Sequence, residues 1–273
     1  KYPYLYNTPK IKQGQQKNDL ILKEILYLRN FLYRFFLYPC NYYTKKINKI
    51  CYYGKMGKDT ETQFIHLHTH SHYSLLDGLS KVEDLIELAK KFKMSAMALT
   101  DHGNMYGAIE FYKLAKGAGI KPIIGVEVYV ANRGRLNKDP GIDNKRYHLT
   151  LLAKNIAGYK NLMRLVTISN LEGFYYKPRV DKEILKKYSD GIIALSGCLG
   201  GELSRALANK DEEKSEQIIK EHQEIFGKEN YFLEVMKHQT LPGDEEIRQS
   251  LVELSKKFNI PLVATIDSHY PCA

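Results

Sequence analysis

The sequence predicts an α/β protein whose globular part is a closed β/α barrel. Two observations carry that reading. From Gln63 onward, short apolar runs alternate with helical segments, a pattern that argues for a parallel sheet with crossover helices. Seven strand candidates fall between Phe64 and Ile266, a number that suits a closed barrel better than an open doubly wound sheet.

In chain order the strand candidates are Phe64–Leu67, Ala96–Thr100, Pro122–Val130, Leu149–Ala153, Gly191–Leu195, Tyr231–Met236 and Pro261–Ile266. Each is a short apolar run of strand length. The first helix candidate, Ser80–Lys93, opens with Ser80 and Glu83, the spacing of a capping box. It places Val82, Leu85, Ile86 and Ala89 on one face. Helices follow at Gly107–Ala118, Ile156–Asn170, Lys182–Tyr188, Gly201–Ala208, Asp211–Phe226 and Asp244–Phe258.

Residues 1–55 differ from the rest. They carry eleven Lys or Arg against Asp19 and Glu24, and ten of the 21 tyrosines. The net charge of +10 therefore belongs to this end, and the globular part is close to neutral. That removes the broad basic face by which many nucleic-acid binders are recognised. Residues 20–38 have helical apolar spacing at Ile21, Ile25, Leu28, Leu32 and Phe36, so a basic membrane-surface helix is one reading. The alternative is a disordered or non-native extension, since Lys, Asn, Ile, Tyr and Phe share AT-rich codons. On that reading Met56 is the better start and the domain is 56–273.

Hydrophobic residues make up 44% of the chain, enough for a substantial core. Cys40, Cys51, Cys198 and Cys272 form no C-x-x-C pair or disulfide framework, which fits a reducing cytoplasm. Charges at Lys23, Glu24, Arg29 and Arg34 interrupt the longest apolar stretch, so no membrane-spanning helix is expected.

The densest chemical signal is His66-Leu67-His68-Thr69-His70-Ser71-His72. Side chains alternate along a strand, so His66, His68 and His70 would share a face. Downstream, Thr100-Asp101-His102-Gly103 follows the second strand. Glu127 lies within the third, where a buried carboxylate is costly unless paired or metal-bound. His148 abuts the fourth strand, Cys198 follows the fifth, and Asp267 and His269 follow the last. Strand ends of a β/α barrel converge on one face. Imidazoles, carboxylates and a thiolate gathered there suit a multinuclear divalent site.

Five segments go further: His68-Thr69-His70-Ser71, Tyr73–Gly78 (Tyr-Ser-Leu-Leu-Asp-Gly), Leu99–Gly107, Gly119–Glu127 and Tyr175-Tyr176-Lys177-Pro178-Arg179. In this order and spacing, the chain resembles the PHP (polymerase and histidinol phosphatase) domain of bacterial family C replicative polymerases, the DNA polymerase III alpha subunits. The resemblance runs from about Phe64 to Tyr270. It implies a distorted, seven-stranded, TIM-barrel-like fold holding three divalent ions: zinc or manganese, with magnesium as a further option. By resemblance, His68, His70, Glu127 and Asp267 would hold one ion. Glu127, His148 and Cys198 would hold a second. Asp77, His102 and His269 would hold the third. His66 and His72 fall outside the scheme.

The resemblance further implies phosphodiester hydrolysis at a DNA 3′ end, as a proofreading 3′–5′ exonuclease. Glu127, Asp267 and His102 would be catalytic. Apart from the resemblance, the cations Lys177 and Arg179 are candidate phosphate contacts, and His238, which follows the Tyr231–Met236 strand, is a candidate substrate contact. Partners would be the remaining polymerase domains and replisome subunits. The acidic palm motif of the polymerases lies beyond the resemblance, so this chain is not expected to polymerise DNA by itself. Two other readings stay open. One is a structural module supporting the polymerase, disfavoured by retention of all nine ligand positions. The other is a stand-alone phosphatase of the histidinol-phosphate type.

Overall fold

The computed structural model describes residues 64–237 and 243–270. The basic extension and His238 lie outside the described residues. Among the described residues, eight strands and seven helices follow one another: α1 (Val82–Lys91), β1 (Ala96–Leu99), α2 (Ala108–Gly117), β2 (Lys121–Ala131), β3 (Arg146–Ala153), α3 (Ile156–Leu171), β4 (Phe174–Tyr175), β5 (Lys177–Val180), α4 (Lys182–Lys187), β6 (Ile192–Leu195), α5 (Glu202–Ala208), α6 (Glu212–Phe226), β7 (Tyr231–Val235), α7 (Asp244–Phe258) and β8 (Leu262–Ala264). Helix ends agree with the sequence reading to within two residues. Among the described residues, no helix is long and apolar enough to cross a membrane.

The sheet curls into a ring. β1, β2, β3, β6, β7 and β8 pair in that order. Residues 66–70, which form only an isolated bridge rather than a full strand, close it. The amides of Ala98 and Thr100 donate to the carbonyls of His66 and Thr69, at 2.7 and 2.9 Å, and the His70 amide donates to Ser268 at 2.8 Å. The expected barrel-like α/β sheet is therefore present, with six paired strands and an irregular segment where the first of the seven was expected.

Three local expectations are corrected. The sheet is not all parallel: β3 runs antiparallel to both β2 and β6. A loop, not a crossover helix, joins β2 to β3, so the chain turns back directly. Ser80 does not cap α1. The cap position is Lys81, with no side-chain hydrogen bond, because Ser80 is fully buried and its carbonyl receives the His72 amide. The short β4–β5 hairpin was not anticipated. Its proline and lone parallel contact to β2 mark it as an edge element.

Strand alternation divides the interior. Val126, Val128 and Val130 of β2, Leu149 and Leu151 of β3, and Tyr231 and Leu233 of β7 pack outward, with Leu162, Leu165, Ile218 and Ile219 of α3 and α6, into one core cluster. A second cluster joins α1 and α2 to Met97 and Leu99 of β1. Burying each large aliphatic side chain contributes about 1.5–3 kcal/mol. The opposite faces carry Glu127, His148, Thr150 and Glu234, which the same period of two turns into the barrel. The apolar outer layer thus holds polar groups in a common interior.

Candidate metal centre

Three isolated bridges ring the mouth of the barrel: Thr69 with Ser268, His102 with Glu127, and His148 with Gly201. Each joins a residue just outside a regular strand to its neighbour, which brings the chain segments bearing the nine candidate ligands to one place. Local backbone geometry aims several of them. Gly103 and Gly197 adopt φ of +62° and +87° beside His102 and Cys198. A side chain at Gly197 would come within 2.5 Å of the His148 carbonyl oxygen. Asp267 itself sits at φ +48°, an unfavourable conformation for a non-glycine residue of the kind that clusters at functional sites.

Glu127 is the hub, fully buried. Its Oε1 lies 3.3 Å from His68 Nε2 and 2.9 Å from His148 Nδ1. Its Oε2 lies 3.7 Å from His70 Nε2 and touches His102 Nδ1. Asp267 Oδ1 is 3.3 Å from His68 Nε2 and 3.1 Å from His70 Nε2. Cys198 Sγ is 3.6 Å from Glu127 Oε1 and 3.5 Å from His148 Nδ1. On the other side, His102 Nε2 lies 3.2 Å from Asp77 Oδ2 and 3.3 Å from His269 Nε2. All nine candidates therefore meet in one cleft. Asp77 stands at its edge, half-exposed, with His102 as its contact within the set.

The donor set fits divalent metal ions. His68 Nε2, His70 Nε2, His102 Nδ1, Glu127 Oε2 and Asp267 Oδ1 are all buried and make no well-aligned hydrogen bond among the described residues. They crowd together without satisfying one another, as lone pairs aimed at a shared cation do. Four overlapping triads keep their ligand atoms within 4.8 Å of one another: His68–His70–Glu127, His102–Glu127–His148, Glu127–Cys198–Asp267 and His70–His102–His269.

Hydrogen bonds behind the imidazoles set which nitrogen faces the cleft. His68 Nδ1 is 2.7 Å from Glu234 Oε1, so its proton sits on that side. His70 Nδ1 is 2.8 Å from Ser74 Oγ, which donates onward to Asp101 Oδ1 at 2.8 Å. His269 Nδ1 is 3.0 Å from the Asp267 carbonyl oxygen, which can only accept. Each bond leaves Nε2 as the free donor, the arrangement typical of metal-bound histidine.

Electrostatics point the same way. Burial disfavours charge on His68, but Glu234, Glu127 and Asp267 outweigh it and raise its pKa well above the usual histidine value. Burial works against the Glu127 carboxylate too, yet His68, His102 and His148 hold its pKa well below normal. Asp267 is likewise depressed against its burial, by His68 and His70. Burial lowers His70, whereas contacts to Glu127 raise His102 despite burial. Burial, then Glu127 and Asp267, pushes Cys198 well up. Without metal, protons balance the buried carboxylates, and a cation would take their place.

The remaining sequence candidates fare differently. His66 is half-buried, its pKa lowered to about 4 by desolvation. It packs edge-on against Phe64. His72 packs on Tyr73. Neither joins the cleft, because the first segment is too irregular for strict alternation. Lys177 is half-buried, with Nζ over the Tyr129 ring. Arg179 is corrected: it is fully buried, and its guanidinium donates to the carbonyls of Gly173, Asp143, Arg135 and Asn137. It is a clamp on the β2–β3 loop and has no edge left for a phosphate. The sequence reading missed Glu234, although a carboxylate inside the apolar run Tyr231–Val235 is the signal that singled out Glu127. Ser74 and Asp101 had no comparable signal, because their role depends on contacts across the fold.

The family model described as "PHP domain" matches residues 66–238. The chain is 50% identical over 211 residues to DNA polymerase III subunit alpha of Borreliella burgdorferi, covering 77% of this chain and 18% of that one. It is 45% identical over 215 residues to the same subunit of Thermus aquaticus, with the same coverages. It is 46% identical over 208 residues to that of Treponema pallidum, covering 76% and 18%. The chain thus spans under a fifth of the length of these relatives. With the family model matching well over half of it, this chain belongs to the PHP domain family.

Proposed function

We propose that the chain is the PHP portion, residues 56–273, of a DNA polymerase III alpha subunit, and that it hydrolyses phosphodiesters at a DNA 3′ end as a cytoplasmic proofreading 3′–5′ exonuclease. One observation carries the reading: nine ligand-type side chains meet in one cleft around the buried Glu127. The similarity to polymerase subunits supplies the DNA setting. His68, His70, Glu127 and Asp267 would hold one ion, Glu127, His148 and Cys198 a second, and Asp77, His102 and His269 a third. Divalent ions in such sites lower the pKa of bound water and neutralise phosphate oxygens.

The chain's own groups do the rest. Glu127 and Asp267 supply the negative charge that lets several cations sit close together. His102 spans two groups of ligands, with Nδ1 on Glu127 and Nε2 between Asp77 and His269. A change at its ring would reach both. The imidazole and thiolate donors suit zinc, and the carboxylates suit manganese or magnesium. The near-neutral globular part implies weak DNA affinity on its own, with the remaining polymerase domains positioning the strand.

The test is metal content by mass spectrometry on the 273-residue chain, paired with digestion of 3′-labelled DNA before and after chelation. The reading requires bound divalent metal and chelator-sensitive release of the label. A metal-replete protein that leaves both labelled DNA and a small diester intact would favour the structural-module alternative. Hydrolysis of a small phosphate monoester in preference to DNA would favour the histidinol-phosphatase type.

A further inference from the structure

We propose that Arg146 and Lys177 form a cationic clamp on the rim of the metal centre, which takes a backbone phosphate of the strand being cut. This rests on the phosphodiesterase reading above and names how that site would grip its substrate.

The two cations share one platform. The guanidinium carbon of Arg146 lies 5.4 Å from the Tyr129 ring centroid, and Lys177 Nζ lies 5.6 Å from the same centroid. That ring stands 5.2 Å from the His148 ring and 5.7 Å from the His102 ring. A single buried aromatic therefore joins both positive charges to two candidate metal ligands. Strand geometry makes the placement definite. Arg146 opens β3 two residues before His148 and four before Thr150, so all three project to the same side of the sheet. Across the ladder, Arg146 pairs with Ala131 and His148 with Tyr129.

The charges are also unspent. Among the described residues, neither Arg146 nor Lys177 has a carboxylate within ion-pair distance, whereas Arg133, Arg135 and Arg248 are all paired. Among the described residues, the Arg146 side chain makes one hydrogen bond, from Nη1 to the Asn144 carbonyl at 2.9 Å. Its Nε is buried without a partner. Nε and Nη2 form the two-donor edge by which arginine grips phosphate oxygens, and an anion at the rim would supply the acceptor that edge lacks. The opposite arrangement at Arg179, four carbonyls filling the whole fork, shows what a structural arginine looks like in this fold.

The test uses the manganese-loaded 273-residue chain and its Arg146→Gln, Arg146→Lys and Lys177→Gln variants. Inorganic phosphate is the probe for binding, by calorimetry. Bis(p-nitrophenyl) phosphate and a 3′-labelled oligonucleotide are the probes for turnover. The clamp requires each Gln variant to weaken phosphate binding and raise KM by about tenfold, the loss of one charge-assisted contact. Metal content should stay at the wild-type value and kcat should change little. Arg146→Lys should recover only part of the loss, because it keeps the charge without the fork. A larger KM effect on the oligonucleotide than on the small diester assigns the clamp to a strand phosphate. Wild-type phosphate affinity in both Gln variants, at full metal content, overturns the proposal. So does an effect that appears only with lost metal. If the wild type cleaves no diester, the phosphodiesterase reading fails, but calorimetry still decides the clamp: phosphate binding lost in Arg146→Gln upholds it, and no binding by the wild type removes it.

Discussion

Oε1 of Glu234 lies 2.7 Å from Nδ1 of His68, with both side chains fully buried. Thr265 and Thr150 hold the same carboxylate, Thr265 Oγ1 at 2.6 Å and Thr150 Oγ1 at 3.3 Å. Glu234 is thus fixed on its far side and fixes His68 in turn. The bond keeps a proton on Nδ1 and directs Nε2 toward Glu127 and Asp267. A carboxylate behind a metal-binding imidazole both orients the ring and makes it a better donor.

If His68 is a metal ligand, Glu234→Gln should therefore weaken divalent-metal binding at His68 by about 10- to 100-fold, while the fold persists. Titration with cobalt, followed by its visible absorption, would report both affinity and ligand field. An unaltered affinity and spectrum would mean that Glu234 merely fills space.

Glu127→Gln removes the charge at the hub but keeps its size. Its carboxylate touches His68, His70, His102 and His148 at once, so more than one ion should be lost, along with hydrolysis. Metal binding is coupled to folding, so the melting temperature in metal-containing buffer should fall as well. His72→Gln, outside the cleft, should spare all three. Metal analysis and melting curves of the pair decide the matter, and equal losses would refute the ligand assignment.

Arg179→Lys should destabilise the protein without the phosphate-specific signature expected of Arg146. The buried guanidinium satisfies four carbonyls, and a lysine can reach few of them. Leaving several buried acceptors unpaired costs about 4 kcal/mol, or roughly 10 °C in melting temperature. Urea denaturation would measure it. A wild-type midpoint would show that the β2–β3 loop does not need this clamp.

Metal should stabilise the protein more as the pH rises. In the metal-free protein the pKa of His68 is raised, against its burial, by Glu234, Glu127 and Asp267 above the ordinary value of 6.5. Such a group contributes stability that is complete below the unfolded pKa and is lost as pH climbs through the folded one. Metal binding has to displace the same proton and so strengthens over that range. Melting curves with and without manganese, from about pH 6 to about pH 9, should draw apart as the pH rises toward the raised folded-state pKa of His68. Curves that stay parallel or converge would count against His68 as a ligand.

By itself the sequence determined most of the elements and the candidate ligand positions. Six strands and seven helices were legible because apolar period and strand length are local properties, and His68, His70, Asp77, His102, Glu127, His148, Cys198, Asp267 and His269 were legible as candidates because their residue types carry the chemistry; the first segment, 64–67, reads as a strand but forms none. The tertiary structure alone decided what depends on pairing between distant segments. Reversal of β3 is the clearest case. It sets Tyr129 opposite His148, so the beginning of one strand reaches the same mouth as the ends of its neighbours, and Arg146 comes with it. Local pattern likewise could not separate Arg179 from Arg146, because both are arginines near a strand. What separates them is which carbonyls the folded loop presents, and burial is a property of the whole chain.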